Sequence, residues 1–168
     1  MLSAMDLTGK AAFITGGGGG IGSATGVAMG RAGARVLLVD IDAQRLEAAA
    51  EAVGATGAEV HTHVADVTSS AAVRGYVAAA LDAFGTVDVL FNNAAIIGPI
   101  AALAEYDEDA FDRILAINVR GVFLGLRHVL PVMLARRSGR SSTPGRSRAS
   151  AAFPGRRRTT PPSTLCSA

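Results

Sequence analysis

The sequence predicts an α/β protein built on a doubly wound parallel sheet. Three observations support this: short apolar runs alternate with longer segments of helical character, a glycine-rich turn follows the first run, and polar residues stand at the ends of later runs. Strands that alternate with helices imply parallel pairing through right-handed crossovers. The expected strand order is 3-2-1-4, with a ligand site at the switch point between strands one and four.

Each predicted element has a recognisable boundary. The strands are assigned to residues 11–15, 35–40, 59–64 and 87–91. The first, second and fourth helices are assigned to about 20–32, 43–53 and about 109–136. The third helix is capped by Thr68 or Ser69 and runs to residue 84. Gly33, Gly54 and Gly85 are expected to stop the first three helices, because helices often end at glycine. Pro131 is expected to kink the last helix near its end.

Length and hydropathy favour one domain. The chain has 168 residues, of which 49% are hydrophobic, and this is enough for a sizeable core. No basic segment followed by an apolar one precedes the first strand, so no secretory signal is predicted. The longest apolar stretch, 114–135, contains Asn118, Arg120, Arg127 and His128, which a membrane span rarely tolerates. We therefore expect a cytoplasmic protein with no membrane partner.

No metal site is predicted. The chain has one cysteine, Cys166, which excludes an internal disulfide and a cysteine cluster. His61 and His63 alternate along a predicted strand, where exposed or hydrogen-bonded imidazoles are expected rather than metal ligands.

The charge is divided between two parts of the chain. Residues 1–135 carry 8 Lys and Arg against 14 Asp and Glu, whereas residues 136–168 carry 8 Arg and no acid. The pI of 9.2 therefore reflects the tail. Because this tail also lacks apolar periodicity and holds four of the six prolines, we predict a domain over 1–137 and a disordered Arg/Ser/Pro-rich tail over 138–168.

The turn after strand one reads T-G-G-G-G-G-I-G from Thr15 to Gly22. Glycines at such a turn let the backbone approach a pyrophosphate, which the positive end of the following helix attracts. The run fits two phosphate-binding patterns, G-x-G-x-x-G through residues 17, 19 and 22, and T-G-x-x-x-G-x-G through residues 15, 16, 20 and 22. A flexible turn without a ligand is the structural alternative.

Asp40 ends strand two, 18 residues after Gly22. A carboxylate at this point accepts hydrogen bonds from both adenosine ribose hydroxyls and repels a 2′-phosphate, which favours NAD over NADP. An acidic strand end that faces water is the alternative.

Taken together, the motifs resemble the short-chain dehydrogenase/reductase family over residues 7 to about 138. They are T-G-x-x-x-G-I-G, Asp66-Val67 after strand three, N-N-A-A at 92–95 after strand four, and Asn118 in I-N-V-R-G-V-F. The family pattern is N-N-A-G, so Ala95 departs from it. The resemblance implies a Rossmann-like fold and hydride transfer between a nicotinamide cofactor and a small-molecule alcohol or ketone.

The resemblance also implies a role for each motif residue. The cofactor contacts would be Gly16, Gly20, Ile21 and Gly22 at the pyrophosphate, Asp40 at the adenosine ribose, Ile41 beside the adenine, Asp66 and Val67 at the adenine amine, and Asn92 and Ala94 at the other ribose. Asn118 would be the catalytic asparagine, which interrupts the long helix and anchors a water in the proton relay; a polar residue at a helix kink is the alternative. The helix 109–136 would pair subunits of a homo-oligomer.

The remaining catalytic residues of the family are missing from their expected place. The family uses a Tyr as general acid/base, a Lys four residues later that lowers its pKa, and a Ser that orients the substrate oxygen. In this chain the tyrosines, Tyr76 and Tyr106, precede Asn118, and the lysine is Lys10. We therefore expect no hydride transfer from the chain as written. The alternative function is a non-catalytic nucleotide-binding fragment.

We interpret the tail as a shifted reading frame, caused by loss of one G near Gly139. Read one base differently from Ser141 onward, a consistent set of codons restores I-V-N-T-G-S-V-A-G-L-R-G-F-P-G-A-A-A-Y-N-A-A-K-H-A-V-L-G. The restored Ser, Tyr and Lys have the family's spacing and fall at Arg146, Thr159 and Ser163. If the restored segment continues with the Leu codon CTG followed by A, the shifted frame reads the stop codon TGA directly after Ala168.

Two expectations follow from this interpretation. Strand four becomes an exposed edge of a truncated sheet, and such edges invite aggregation. The basic tail is not a nucleic-acid-binding arm, so no nucleic-acid partner is predicted. The alternative, a genuine basic tail that binds phosphates, would require salt-sensitive affinity for DNA or RNA.

Overall fold

A computed structural model describes residues 6–137, 139–143 and 150–152. The predicted positions of the restored Ser, Tyr and Lys, at Arg146, Thr159 and Ser163, lie outside these residues. The elements in chain order are β1 (Ala11–Thr15), α1 (Gly20–Arg31), β2 (Arg35–Asp40), α2 (Ala43–Gly54), β3 (Val60–Val64), α3 (Ser70–Phe84), β4 (Val89–Asn92), a 3₁₀ turn (Leu103–Glu105), α4 (Glu108–Leu115), a π-helical segment (Ala116–Gly121), α5 (Val122–Ala135), β5 (Arg140–Ser142) and β6 (Ser150–Ala152).

The strands form one sheet in the order β3-β2-β1-β4-β5-β6. β1 pairs in parallel with β2 and β4, β2 with β3, and β4 with β5, whereas β6 runs antiparallel to β5. The predicted parallel sheet and its 3-2-1-4 order are confirmed. The order of winding reverses at β1, and the carboxyl ends of β1 and β4 therefore flank a cleft.

β5 lies within the segment that the sequence assigns to the tail. Its residues Arg140–Ser142 pair with Val89–Phe91 of β4. The expectation that β4 is a free sheet edge is therefore wrong. The pairing uses main-chain N–H and C=O groups, which every non-proline residue carries, so it does not need the apolar alternation that this segment lacks.

Helices cover both faces of the sheet, because successive side chains of a strand point to opposite faces. Phe13 and Leu37 pack on one face with α3 and α5. Ile14 and Leu38 pack on the other face with α1 and α2. All residues of β1 are buried, as expected for a central parallel strand.

The helix boundaries agree with most of the expected signals. Ser69 caps α3 by accepting a hydrogen bond from the Ala72 amide, which decides between the two predicted caps. Gly85 ends this helix with a left-handed φ of 71°. α2 ends at Gly54, but the left-handed glycine beyond it is Gly57, with φ of 84°.

The predicted long helix is continuous from Glu108 to Ala135, with Pro131 inside α5. An 18-residue window of this helix has a mean hydropathy of 1.3, so by length and composition alone the helix could cross a membrane. However, its residues Val129 and Met133 belong to the core cluster beside α3. The helix is thus anchored in the core at these residues, although only 22% of its most apolar window is buried.

Candidate functional site

The glycine turn between β1 and α1 has no room for a side chain at two glycines of the T-G-x-x-x-G-x-G pattern, Gly16 and Gly22. Gly16 has φ of 65°, and a Cβ placed on it would lie 2.9 Å from the Ala94 Cα. A Cβ on Gly22 would lie 2.1 Å from the Gly16 carbonyl oxygen. Side chains are therefore excluded at both positions by the turn itself. Gly17 has a different role, because its Cβ would meet Leu38 in the core at 2.9 Å.

Gly20, the first residue of α1, leaves open space over the N-terminal turn of the helix. A Cβ on Gly20 would have no atom of the described chain within 4 Å, so packing between described residues does not account for a glycine here. Gly19, the N-cap of α1, offers no side-chain cap to the helix. A phosphate over the first turn would use both the open space and the uncapped N–H groups. The residues present thus fit a pyrophosphate.

Asp40 lies beside this turn, at the end of β2 as predicted. Its Oδ2 accepts a hydrogen bond from the Gly18 amide at 3.0 Å, and its Oδ1 accepts one from the Asp42 amide at 3.2 Å. These bonds fix the carboxylate while leaving lone pairs for ribose hydroxyls. Ile21 and Ile41 remain 66% and 70% exposed, which leaves their side chains accessible to a ligand.

Asp66 and Val67 follow β3 and begin a turn into α3. Asp66 is exposed, and its Oδ1 accepts from the Thr68 amide at 2.8 Å. Val67 is buried, and a Cβ on Gly121 would lie 2.9 Å from its Cγ2. The π-helical segment therefore packs directly on this turn and holds it in place.

Asn92, at the end of β4, faces the protein interior. Its side chain is 3% exposed and donates to the Val122 carbonyl at 3.2 Å. A Cβ on Gly125 would lie only 2.6 Å from its Oδ1. The side chain thus positions β4 against α5, and a contact from Asn92 to a ribose would have to come from its main chain.

Thr15 and Asn93 connect the two strands that flank the cleft, although the sequence interpretation gave neither a role. The Thr15 Oγ1 accepts from the Asn93 and Ala94 amides at 3.0 and 3.1 Å. The Asn93 Nδ2 donates to the Thr15 and Gly16 carbonyls, both at 3.2 Å. Both residues stand inside the motifs T-G and N-N-A, and this position was the only signal for them. Ala95 causes no backbone strain, because it is not among the described residues with positive φ.

Asn118 lies in the π-helical segment and holds the loop after β4. Its Oδ1 accepts from the Ile96 amide at 2.9 Å, and its Nδ2 donates to the Ile96 carbonyl at 3.0 Å. The resemblance implied an interruption of the long helix at Asn118; the structure has π-helical winding there, without a break. Such windings often occur at functional sites.

Tyr76 and Lys10 have structural positions that do not suit catalysis. Tyr76 is fully buried on α3, with its ring centroid 4.8 Å from that of Phe13. Burial raises the pKa of its hydroxyl. Lys10 precedes β1, at the sheet edge opposite the cleft, where its Nζ is 3.8 Å from Asp88.

Comparisons with known proteins identify the family. The short chain dehydrogenase family model matches residues 10–143. The chain therefore belongs to the short-chain dehydrogenase/reductase family. This is a family of oxidoreductases that bind NAD or NADP and act on small-molecule alcohols or ketones.

Individual relatives agree with this assignment. Levodione reductase from Leifsonia aquatica is 45% identical over 134 residues, which are 79% of this chain and 50% of that protein. NAD⁺-bound xylitol dehydrogenase superimposes with a TM-score of 0.80 at 39% identity, covering 82% of this chain and 53% of that one. A metagenomic short-chain oxidoreductase in complex with NADP superimposes with a TM-score of 0.78 at 33% identity, covering 82% and 62%.

The comparisons do not decide the activity of the whole protein or the choice between NAD and NADP. The chain spans about half the length of the first curated relatives it matches. Their structures include both an NAD⁺ complex and an NADP complex, so the fold alone does not select the cofactor.

Proposed function

We propose that this chain is the nucleotide-binding part of a cytoplasmic, NAD-dependent short-chain dehydrogenase that interconverts an alcohol and a ketone. The observation that carries the proposal is the turn from Gly16 to Gly22, which is open at Gly20 and lies beside the fixed carboxylate of Asp40. Gly16, Gly20, Ile21 and Gly22 would hold the pyrophosphate. Bound NAD would supply the hydride acceptor.

The remaining contacts follow the strand ends. Asp40 would hold the adenosine ribose, with Ile41 beside the adenine, and Asp66 and Val67 would meet the adenine amine. Ala94 and the main chain of Asn92 would border the second ribose. Asn118 would be the catalytic asparagine. Asp40 favours NAD because its negative charge opposes a 2′-phosphate.

We also propose that the chain as written does not transfer hydride. Its segment 138–168 is read in a shifted frame, which replaces the family's Ser, Tyr and Lys by Arg146, Thr159 and Ser163. The position of β5 supports this, because Ser141 and Ser142, which pair with β4, occupy the first two positions of the restored I-V-N strand. In this form the chain would act as a non-catalytic nucleotide-binding fragment.

The first experiment titrates the 168-residue chain with NAD⁺ and NADP⁺ and assays it for oxidation of a panel of alcohols. We expect saturable binding of NAD⁺, weaker binding of NADP⁺, and no turnover. Asp40→Asn should reduce the difference in affinity between NAD⁺ and NADP⁺. Gln44→Asn, which changes an exposed residue of α2, serves as a control. A folded chain that binds neither cofactor would contradict the nucleotide site, and any turnover would contradict the proposed inactivity.

The second experiment sequences the coding DNA across Gly139 and past Ala168. An additional base there would mean that the sequence was misread and that the enzyme has its Ser, Tyr and Lys. An unchanged sequence that encodes Y-N-A-A-K in the other frame would mean a frameshifted gene with an inactive product. If neither frame encodes this segment, the frame interpretation is wrong.

We further propose that the chain forms a homo-oligomer through the long helix. Phe111, Leu115, Val119 and Phe123 are spaced four residues apart and are 42–59% exposed, so they form an apolar stripe along one side of this helix. Val119→Lys should shift the chain toward monomer in sedimentation experiments. Ile97→Lys, which changes an equally apolar and 98% exposed residue outside the stripe, is the matched control.

A further inference from the structure

A second acidic residue lies close to Asp40 and is linked to a cation. Asp42 is the N-cap of α2, and its Oδ1 accepts a hydrogen bond from the Arg45 amide at 3.1 Å. Its other oxygen, Oδ2, is 3.2 Å from the Arg45 Nε. The Asp42 amide in turn donates to Asp40 Oδ1. A single chain of contacts therefore joins the ribose-side carboxylate to the Arg45 guanidinium.

Arg45 also lies directly against the glycine turn. A Cβ placed on Gly18 would be 2.7 Å from the Arg45 Cβ and 3.2 Å from Asp40 Oδ2. The stem of Arg45 and the carboxylate of Asp40 thus lie on the same side of Gly18. The Arg45 side chain is 70% exposed, and it has room to change its rotamer toward a ligand.

These two side chains have opposite preferences at the adenosine ribose. A carboxylate accepts the 2′-hydroxyl of NAD and repels the 2′-phosphate of NADP, whereas a guanidinium is a preferred partner of phosphate oxygens. An arginine beside Asp40 would therefore be expected to weaken the preference for NAD. The ion pair with Asp42 occupies the Nε edge of the Arg45 guanidinium, which is then not available to a 2′-phosphate.

We propose that Asp42 is a positioning residue that strengthens the preference for NAD by retaining Arg45. The inference rests on the proposed nucleotide site and adds a determinant of cofactor choice outside the residues that touch the ribose. Asp42 acts through Arg45, which in the wild-type chain is directed to the acid rather than to the 2′ position. Neutralising Asp42 releases the guanidinium to a 2′-phosphate.

The test compares two probes that differ only in the group at issue. 5′-AMP and 2′,5′-ADP occupy the adenosine end alone, so the experiment does not depend on the nicotinamide side. Affinities for both are measured by calorimetric titration of the full 168-residue chain. The readout is the ratio of the two affinities, which a general loss of folding would not change selectively.

Asp42→Asn is the main variant, because asparagine caps a helix about as well as aspartate. We expect it to raise the relative affinity for 2′,5′-ADP about three- to fivefold, a modest change because the ion pair is exposed. Asp42→Ser, which also preserves the cap, should behave in the same way. If neither folded variant changes the ratio, the inference is overturned.

A double-mutant cycle separates the action of Asp42 through Arg45 from direct charge repulsion. Arg45→Gln should remove most of the gain that Asp42→Asn produces. An equal gain in the Arg45→Gln background would mean that Asp42 repels the phosphate directly, and this would overturn the role assigned to Arg45. Failure of the wild-type chain to bind 5′-AMP and NAD⁺ would instead contradict the proposed nucleotide site itself.

Discussion

On the β1–β2 side of the switch point, hydrogen bonds and close packing already fix the groups that would meet a dinucleotide. On the β4–β5 side, the described residues provide Asn118 and the loop that it holds, but no Ser, Tyr and Lys at the family's spacing. The difference follows from distance along the chain. The nucleotide side is encoded between Thr15 and Asp40, whereas the family's catalytic set extends well beyond β5. Under the proposed change of frame after β4, we expect catalysis to be lost and the nucleotide cleft to remain.

Restoring the reading frame should have the largest effect. Insertion of one G at the Gly139 codon, followed by the downstream sequence, should convert a chain without turnover into one that oxidises an alcohol with NAD⁺. The physical reason is that a Tyr whose pKa a nearby Lys lowers supplies general acid/base catalysis, and this contributes about 10²–10⁴-fold to the rate. The measurement is NADH absorbance with a panel of alcohols.

The matched control restores the frame but places Phe at the restored tyrosine codon, at the position of Thr159. This control should keep nucleotide affinity and lose turnover. Equal turnover in both proteins would show that the restored segment is not the catalytic one, and the contrast between the two sides of the cleft would fail.

Two glycines in the same turn should separate folding from binding. Gly22→Ala places a Cβ 2.1 Å from the Gly16 carbonyl oxygen, so we expect it to lower the free energy of unfolding by about 3 kcal/mol or more. The Cβ of Gly20→Ala would contact no neighbouring atom of the described residues within 4 Å. This variant should change stability by no more than about 1 kcal/mol while weakening NAD⁺ affinity about tenfold.

Denaturant unfolding and NAD⁺ titration of the two variants provide the comparison. Unchanged NAD⁺ affinity in the folded Gly20→Ala variant would mean that no phosphate lies over the first turn of α1. A Gly22→Ala variant as stable as wild type would mean that the turn is looser than its geometry implies.

Asn118 should matter for the loop after β4 more than for the fold. Asn118→Ala removes two hydrogen bonds to the Ile96 main chain, and we expect a loss of about 1–3 kcal/mol in the free energy of unfolding. Exchange of the Ile96 amide should accelerate by more than exchange of β1 amides. Ala116→Ser, in the same π-helical segment, is a control. Uniform acceleration across the sheet would show that Asn118 supports the whole domain rather than this loop.

The fold was largely predictable because its signals are local. Buried strands read as continuous apolar runs, and Ser69 and Gly85 mark the ends of α3. β5 was not predictable in this way, because it pairs through its main chain with little apolar alternation. Local patterns are therefore informative about elements that bury side chains and much less so about a strand added at the edge.

The site was predictable as a set of positions but not as a set of orientations. Asp40 and Gly16 lie where the motifs place them. The inward direction of Asn92 was not predictable, because β4 is covered by side chains on both faces and the sequence does not distinguish them. The connecting roles of Thr15 and Asn93 depend on pairing between β1 and β4, which are distant along the chain. The cofactor roles themselves stay predictions until binding is measured.

Tyr76 offers a smaller test, within the core between the sheet and helices α3 and α5. Its hydroxyl is buried and has no hydrogen-bond partner among the described residues. Tyr76→Phe removes this polar atom while keeping the ring against Phe13. We expect the free energy of unfolding to stay equal or rise by up to about 1 kcal/mol. A loss of more than about 1 kcal/mol in denaturant unfolding would instead indicate that the hydroxyl is hydrogen-bonded, for example to a water.

The smallest expected effect concerns His128, which joins α5 to α3 through a contact of 3.2 Å between its Nε2 and the Ser70 Oγ. Partial burial, and then repulsion from Arg74 and Arg127, lowers the pKa of His128. The unfolded chain therefore binds this proton more readily than the folded chain, so the free energy of unfolding should fall as pH decreases through the ordinary histidine range near 6.5. The decrease should level off below the folded-state pKa. Subtracting the pH profile of His128→Gln from that of wild type isolates this contribution, and Arg74→Met should make it smaller. A difference profile that is flat between pH 5 and 7.5, or that slopes the other way, would show that protonation of His128 does not oppose the packing of α5 on α3.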